Sequence, residues 1–486
     1  MTSESQEFLA VFVSESYYYW SAVFMLLIHA GFLAYEGGVA RTKNVLATMV
    51  KNLLTLAIVG LTFFFFGWWV YNAFPLFPLQ GGIVGPWTNP QAEGQLAEIL
   101  ALVKASYPWS AALGPNLSDH ITGVFWFAFA LFAMTTGSIL SGAVIERIRI
   151  SAYAILAVVL GSCSWVVAAA WGWNPYGWAF TQLGYHDFGC AAIIHGVSGF
   201  FALGVLINLG PRLGKFDAQG KPTTIPPHNL PLTMLGLMLI YVGFFAFLAA
   251  CVIFLPGQTG EISIYRTPMT LASIGVNTTL ALSAGIVGAY LSAKGDPFLT
   301  ISGGLAGIVS VAAGLDLYSP PIVILVAFLG AYTMPLVSNA VEKAGIDDAV
   351  GAFALHGYCG LFGTVALGIV AFGYPQGNGI PSTSFTGQVV GAVIFTVLLG
   401  FVPGYGISLV LKQFNLLRLP KEEELMGLDY VEFGLDVYPE YSLIGQANSR
   451  TNNRINGQSN SQTNLQINDQ TNGHSPGETG PKASLS

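Results

Sequence analysis

A chain of 486 residues would ordinarily make several soluble domains, yet 53% of these residues are hydrophobic, 9% are charged and the mean hydropathy is +0.61. That balance leaves too little polar surface for water and excludes a soluble globular protein. The net charge of −7 comes mostly from loops and termini, so it identifies no partner, and none made of nucleic acid is expected.

In chain order, residues 1–16 carry three Glu and no basic residue, the wrong charge for the start of a secretory leader. They are expected to form an extracellular N-terminal segment that is not cleaved. Apolar runs of roughly 20 residues, the length a helix needs to cross a hydrocarbon core, then recur at short intervals. They predict spans at 17–40, 54–73, 121–145, 152–173, 188–209, 230–255, 269–293, 298–315, 322–341, 351–372 and 385–411. The expected fold is an all-α polytopic membrane protein with eleven transmembrane helices in one domain, 17–411. The longest outer connection, 74–120, is broken by six prolines, and a short amphipathic helix is expected there over 91–107, where Leu96, Ile99, Leu100 and Val103 keep helical spacing. After the last span, residues 412–445 read as an ordered cytoplasmic region. Of the 41 residues in 446–486, 23 are Asn, Gln, Ser or Thr, which cannot bury enough apolar area to fold, so a disordered tail is expected.

Cytoplasmic loops retain positive charge during insertion. With the N-terminus outside and the C-terminus inside, only Lys104 and Arg266 of the 18 Lys and Arg residues lie outside, and all others, Lys51 among them, fall on the inner side. Cys163, Cys190, Cys251 and Cys359 sit in or beside spans as small apolar residues, so no disulfide framework is implied. Gly303, Gly304 and Gly307, and likewise Gly400 and Gly404, read as close helix packing.

Two halves of the chain share a pattern, D-x7-H-G-x-x-G: Asp187 with His195, Gly196 and Gly199, and Asp348 with His356, Gly357 and Gly360. The two copies fall in the fifth and tenth spans, which run in opposite directions. This points to a 5+5 inverted repeat followed by an eleventh helix, with a substrate site at the repeat interface near the midplane. Eight helical residues separate each aspartate from its histidine by roughly 12 Å, so both imidazoles lie deep and both carboxylates near a surface. A single intramembrane histidine is more often a helix-to-helix hydrogen bond than a site. Two at matched positions reverse that preference. Facing imidazoles share a proton, and burial in an apolar lumen disfavours their charged form. Such a site suits a small hydrogen-bonding molecule, or a cation able to give up a proton, and ammonium fits.

At these residues the sequence resembles the ammonium transporter family, which includes the Rhesus-type ammonia channels, and within it the Amt branch. The resemblance runs from Gly37-Gly38 and Lys43-Asn44, through Glu146-Arg147-Ile148-Arg149 and Pro227-His228-Asn229-Leu230-Pro231, to Gly427-Leu428-Asp429. It implies a homotrimer in the cell membrane, not an enzyme, in which each subunit has its own hydrophobic pore with the His195 and His356 pair midway. Two stacked phenylalanines would gate it from outside. Phe132, fourteen residues before Glu146, and Phe247, sixteen after Pro231, are the candidates. Above the gate a cage holding ammonium by cation-π attraction, about 0.5–2 kcal/mol, would include Trp178 and, where bacterial members carry serine, Cys251. Leu248 replaces the Asn that usually follows the second gate residue. Asp187 is expected to stabilise the capture region, whereas Asp348 caps its helix.

Ammonium would be captured outside, deprotonated and passed as ammonia, with methylammonium as an analogue. A PII-type signal protein is the implied cytoplasmic partner, although Phe433-Gly434-Leu435 stands where relatives carry His-Gly-Glu. A rival reading is a sensor that uses the pore to bind ammonium and signals through its tail, favoured by the substitutions at Phe244, Leu248 and Cys251 together with the long tail. His29, where many relatives carry Gln, reads as a packing hydrogen bond. A metalloenzyme built on His29, His195 and His356 lacks any tight ligand spacing, so neither metal nor cofactor is expected.

Overall fold

Caps and prolines set where many of the helices begin. The computed structural model describes residues 3–76, 78, 120–256, 260–376 and 379–438. The helix expected over 91–107 and the tail 446–486 lie outside the described residues, as do 439–445 of the cytoplasmic region. Helix α1 is Ser3–Val39, followed by α2 Thr42–Asn72, α3 His120–Ala143, α4 Ile150–Gly172, α5 Ala191–Leu209 and α6 Leu230–Ala250. Then come α7 Leu271–Ser292, α8 Pro297–Ala312, α9 Pro320–Lys343, α10 Phe353–Val370 and α11 Phe385–Gln413. Asn229 and Asp296 accept the Leu232 and Leu299 amides at 3.0 and 2.8 Å, with proline in the first turn of each helix. Thr270 and Ser273 form a reciprocal capping box at the start of α7.

Ten of these helices are long and apolar enough to cross a membrane, and the eighth expected span falls on α8, a shorter apolar helix of 16 residues. Two expectations change at the N-terminal end. Residues from Ser3 onward are not a separate segment but the first turns of α1, because Phe8, Leu9, Phe12 and Val13 continue its apolar spacing with no Gly or Pro to stop it. Helix α2 starts well before residue 54. Lys51, assigned from sequence to an inner loop, is a helical residue only 4% exposed, and its Nζ donates to the Ser141 carbonyl at 2.7 Å. A buried acceptor, invisible in sequence, turns a loop signal into a core residue.

Helix α1 lies along α6. A Cβ on Gly236 would strike the Tyr35 amide and the Gly31 carbonyl, so the two backbones touch where side chains are missing. Gly303 and Gly307 of α8 meet Gly285 of α7 in the same way. One end of the bundle is tied by buried charge. Arg212 holds Asp347 through Nε and Nη2 at 2.8 and 2.9 Å, and Arg41 meets Glu146 at 2.6 Å. Burial pushes the Asp347 carboxyl up, but the Arg147 charge and the Arg212 hydrogen bonds outweigh it and hold the group well below the usual carboxylate range. On this face also lie two short helices, α12 Lys421–Met426 and α13 Leu428–Phe433. Asp429 caps α2 by accepting the Leu46 and Ala47 amides at 3.0 and 2.8 Å, while Asn44 Oδ1 accepts the Leu428 amide at 2.9 Å. The Lys43-Asn44 and Gly427-Leu428-Asp429 motifs are thus two sides of one contact.

Candidate functional site

Both copies of the repeated motif begin with a carboxylate that closes a helix start. Asp187 accepts the amides of Ala191, Ala192 and Ile193 at 2.5, 2.9 and 3.0 Å and the Tyr185 hydroxyl at 3.0 Å. Asp348 accepts those of Ala352 and Phe353 at 2.9 and 2.7 Å. Neither aspartate is inside a helix, so the continuous eight-residue helical rise expected between Asp and His does not exist. The free amides of a first turn need an acceptor just outside it. Burial pushes the Asp187 carboxyl up to about 6 against the pull of these hydrogen bonds. With its oxygens committed to caps and Tyr185, Asp187 does in its copy of the motif what Asp348 does in the other.

Each cap opens a π-helical turn, Ala191–Gly196 and Phe353–Tyr358, and each turn carries its histidine. Wider turns of this kind recur at functional sites. The glycines explain the rest of the motif. A Cβ on Gly199 would collide with the Gly357 backbone, and one on Gly360 with the Ala191 carbonyl and the Gly196 amide. Each copy therefore crosses the other at its His-Gly step. The crossing brings His195 Nδ1 to 3.0 Å from His356 Nδ1, with ring centroids 5.1 Å apart and planes inclined by 17°. At that distance one ring donates and the other accepts. His195 Nε2 is buried with no hydrogen-bond partner among the described residues.

A file of aromatic rings leads to the pair. Phe132 and Phe247 meet at 4.5 Å with an interplanar angle of 82°, edge to face rather than stacked. That arrangement places the positive ring edge on the negative face. Phe244, one helical turn before Phe247, lies 5.2 Å from it and 5.6 Å from His195. Sequence reading named Phe244 only as a substitution, although its spacing from Phe247 along α6 was the available signal. Trp173, not Trp178, packs on Phe132, at 5.4 Å, with its Nε1 held by the Phe188 carbonyl at 2.9 Å. Trp178 instead packs on Trp171, 5.6 Å away. Cys251 is buried one turn beyond Phe247 and its thiol donates to the Phe247 carbonyl at 3.3 Å.

Two further groups escaped sequence reading. His186 and Asp316 form a buried pair, Nε2 lying 2.9 Å from Oδ1, under the ring of Tyr265. Glu36, buried in α1, accepts the Ser141 hydroxyl and, at 2.9 Å, the Asn52 amide. His29 lies 3.5 Å from Thr135 Oγ1, a contact between α1 and α3. Among the described residues, no three His, Cys, Asp or Glu side chains gather as metal ligands.

Residues 16–438 match the Ammonium Transporter Family, and the chain belongs to it. Ammonium transporter Amt2 of Methanocaldococcus jannaschii is 30% identical over 427 residues, covering 87% of this chain and 90% of that one. Ammonium transporter Amt2 of Archaeoglobus fulgidus is 29% identical over 441 residues, 86% of each chain. Among solved structures, a Sensor Amt Protein superposes with a TM-score of 0.71 at 25% identity, covering 88% of this chain and 100% of that one. Mep2 of Candida albicans, 21% identical, shares the fold at a TM-score of 0.65 over 84% of this chain and 87% of that one. The chain is a multi-pass protein of the cell membrane and a transport protein rather than an enzyme.

Proposed function

We propose that this chain moves ammonium across the cell membrane: it captures the cation outside, takes it to the Phe132 and Phe247 gate where its proton passes to the facing imidazoles, and carries ammonia and that proton inward by way of His195 and His356. The observation that carries this reading is the 3.0 Å contact between the two Nδ1 atoms at the far end of an aromatic file. Facing imidazoles can hand a proton between them while presenting no fixed charge, which suits a small neutral hydrogen-bonding solute and offers a bare alkali cation no coordination. The dry file ahead of them makes shedding the hydration shell of any ion costly.

The same reading takes α1 to α11 as eleven crossings, N-terminus outside and C-terminus inside, with α1 to α5 repeated in inverted sense by α6 to α10. Supporting it, the short α8 ends beside the outer motif, where its Ala312 and Ala313 carbonyls accept the Gly189 and Phe188 amides. Arg41, Arg147, Arg212 and Arg418 meet on the opposite, inner face. A homotrimer and an inner-face contact with a PII-type signal protein belong to this reading through the family. An apolar groove between α1 and α6, lined by Phe12, Trp20, Phe24 and Phe245, is a face on which a second subunit can pack.

The test is current from purified protein on a supported membrane, given an ammonium pulse and a potassium control. Wild-type protein is expected to respond to ammonium alone, and a His195→Ala, His356→Ala double variant to lose the response or its selectivity. Unchanged methylammonium uptake by the double variant overturns the mechanism. A second reading, an ammonium sensor with the same pore, is favoured by the likeness to a Sensor Amt Protein. Proteoliposomes that bind ammonium yet show no flux would select it.

A further inference from the structure

Glu36 sits where a carboxylate is hard to justify as packing. It is 1% exposed within α1, and ionisable groups at such positions normally face a cavity or a partner. Lys51 of α2, the nearest cationic candidate, does not form an ion pair with it among the described residues. Lys51 instead donates to the Ser141 carbonyl and lies 5.3 Å from the centroid of the Tyr153 ring. Ser141 therefore lies between the two side chains, its hydroxyl turned to Glu36 and its carbonyl to Lys51. Asn52 completes the hold on the carboxylate at 2.9 Å.

Beside this carboxylate runs a narrow cavity whose wall includes Leu237, Ile240, Leu305, Leu355, Glu36 and His356. His356 is the inner histidine of the pair, so Glu36 and the pair share one space. Gly142 keeps that space open, since a Cβ there would sit 3.2 Å from Glu36 Oε1 and 2.7 Å from Val350. A brace between α1, α2 and α3 would be served as well by a neutral amide, which meets the same Ser141 and Asn52 partners without placing a charge in a dry bundle. What an amide cannot do is exchange a proton with whatever leaves the histidines.

We propose that Glu36 is the inner proton-exchange site of the pore: ammonia passing His356 takes the proton of the Glu36 carboxyl group, forms ammonium against the resulting carboxylate, and leaves toward the inner face. The N–H bond forms as the O–H bond breaks, and the carboxylate is reprotonated by the proton that His195 and His356 hand inward, so each cycle carries one positive charge across. Lys51, one group removed, limits how tightly the ammonium is held. This inference rests on the transport reading above.

The experiment compares wild type, Glu36→Gln and Glu36→Asp as purified full-length protein on the supported membrane, with thermal midpoints measured in parallel. The expected result is a maximal ammonium current lowered about tenfold or more in Glu36→Gln, partial recovery in Glu36→Asp, and matching thermal midpoints for the two variants. A Glu36→Gln current within about twofold of wild type overturns the inference while leaving the transport reading intact. So does a loss in Glu36→Asp equal to that in Glu36→Gln with a falling midpoint, which marks a brace. An absent wild-type current overturns both. Should Glu36→Gln not fold, Ser141→Ala decides: a severalfold lower current supports the site and an unchanged current removes it.

Discussion

The two copies of the motif, one at Asp187 and one at Asp348, are built alike and placed in unlike surroundings. Asp187 takes four hydrogen bonds and is sealed, and its histidine faces Phe244 and Phe247 with one ring nitrogen unpartnered among the described residues. Asp348 takes two side-chain hydrogen bonds, adjoins the Asp347 and Arg212 pair, and its histidine opens on a cavity containing a carboxylate. One backbone device thus carries two settings: aromatic rings beside His195 and, beside His356, a narrow cavity whose wall includes Glu36. The difference teaches that the asymmetry between the two copies is written in the neighbours of the motif rather than in the motif.

The crossing shared by both copies is the most sensitive place to break this comparison. Gly199→Val forces a side chain into the Gly357 backbone, and Gly360→Val into the Ala191 carbonyl, so both variants are expected to lose folded protein or transport, read by chromatographic yield and methylammonium uptake. Unchanged uptake by either would sever the glycines from the histidine geometry.

Next in size are the caps. Asp187→Ala strands three buried amides and is expected to cost roughly 2–4 kcal/mol, against about 1–2 kcal/mol for Asp348→Ala, compared as thermal midpoints. Their charges sharpen the contrast. The Asp187 carboxyl lies near 6 in the folded protein, above the ordinary 3.8, so its contribution is complete below about pH 4 and is lost as pH rises through about 6. Asp347, held low by its arginines, has the opposite sign: its contribution is present above the ordinary carboxylate range and is lost on acidification. Asp187→Asn should therefore flatten the fall in thermal midpoint between about pH 4 and 6, and Asp347→Asn should not.

On the proposed transport reading, Trp173→Leu is expected to raise the half-saturating ammonium concentration severalfold, whereas Trp178→Leu leaves it near wild type. The reverse ranking would return the pore mouth to Trp178. Smallest is Cys251→Ser. A hydroxyl is the stronger hydrogen-bonding group, so half-saturation should fall by a factor of about two to three, equivalent to a fraction of one hydrogen bond.

Much of this was legible along the chain. The apolar runs located α1 to α11 to within a few residues in most cases, because a helix in a bilayer satisfies its own backbone and needs only length and apolarity. His195 and His356 were legible because duplication repeats spacing. Phe132 and Phe247 came from resemblance, and their rings meet edge to face rather than stacked. Lys51 looked like a loop residue, and a partner far along the chain, the Ser141 carbonyl, decided otherwise. Trp178 and Asp187 likewise have partners that sequence does not display, the Trp171 ring and the three amides of a helix start.

Sequence by itself determined that the chain lives in a membrane, how its apolar segments are ordered and which two histidines are equivalent, since each follows from composition or from spacing along one dimension. Only the tertiary structure decided that the two copies cross at their glycines, that a π turn aims each imidazole, and that Glu36 shares a cavity with His356. Those facts depend on contacts between residues far apart in the chain, and helix-to-helix packing, not local propensity, sets them.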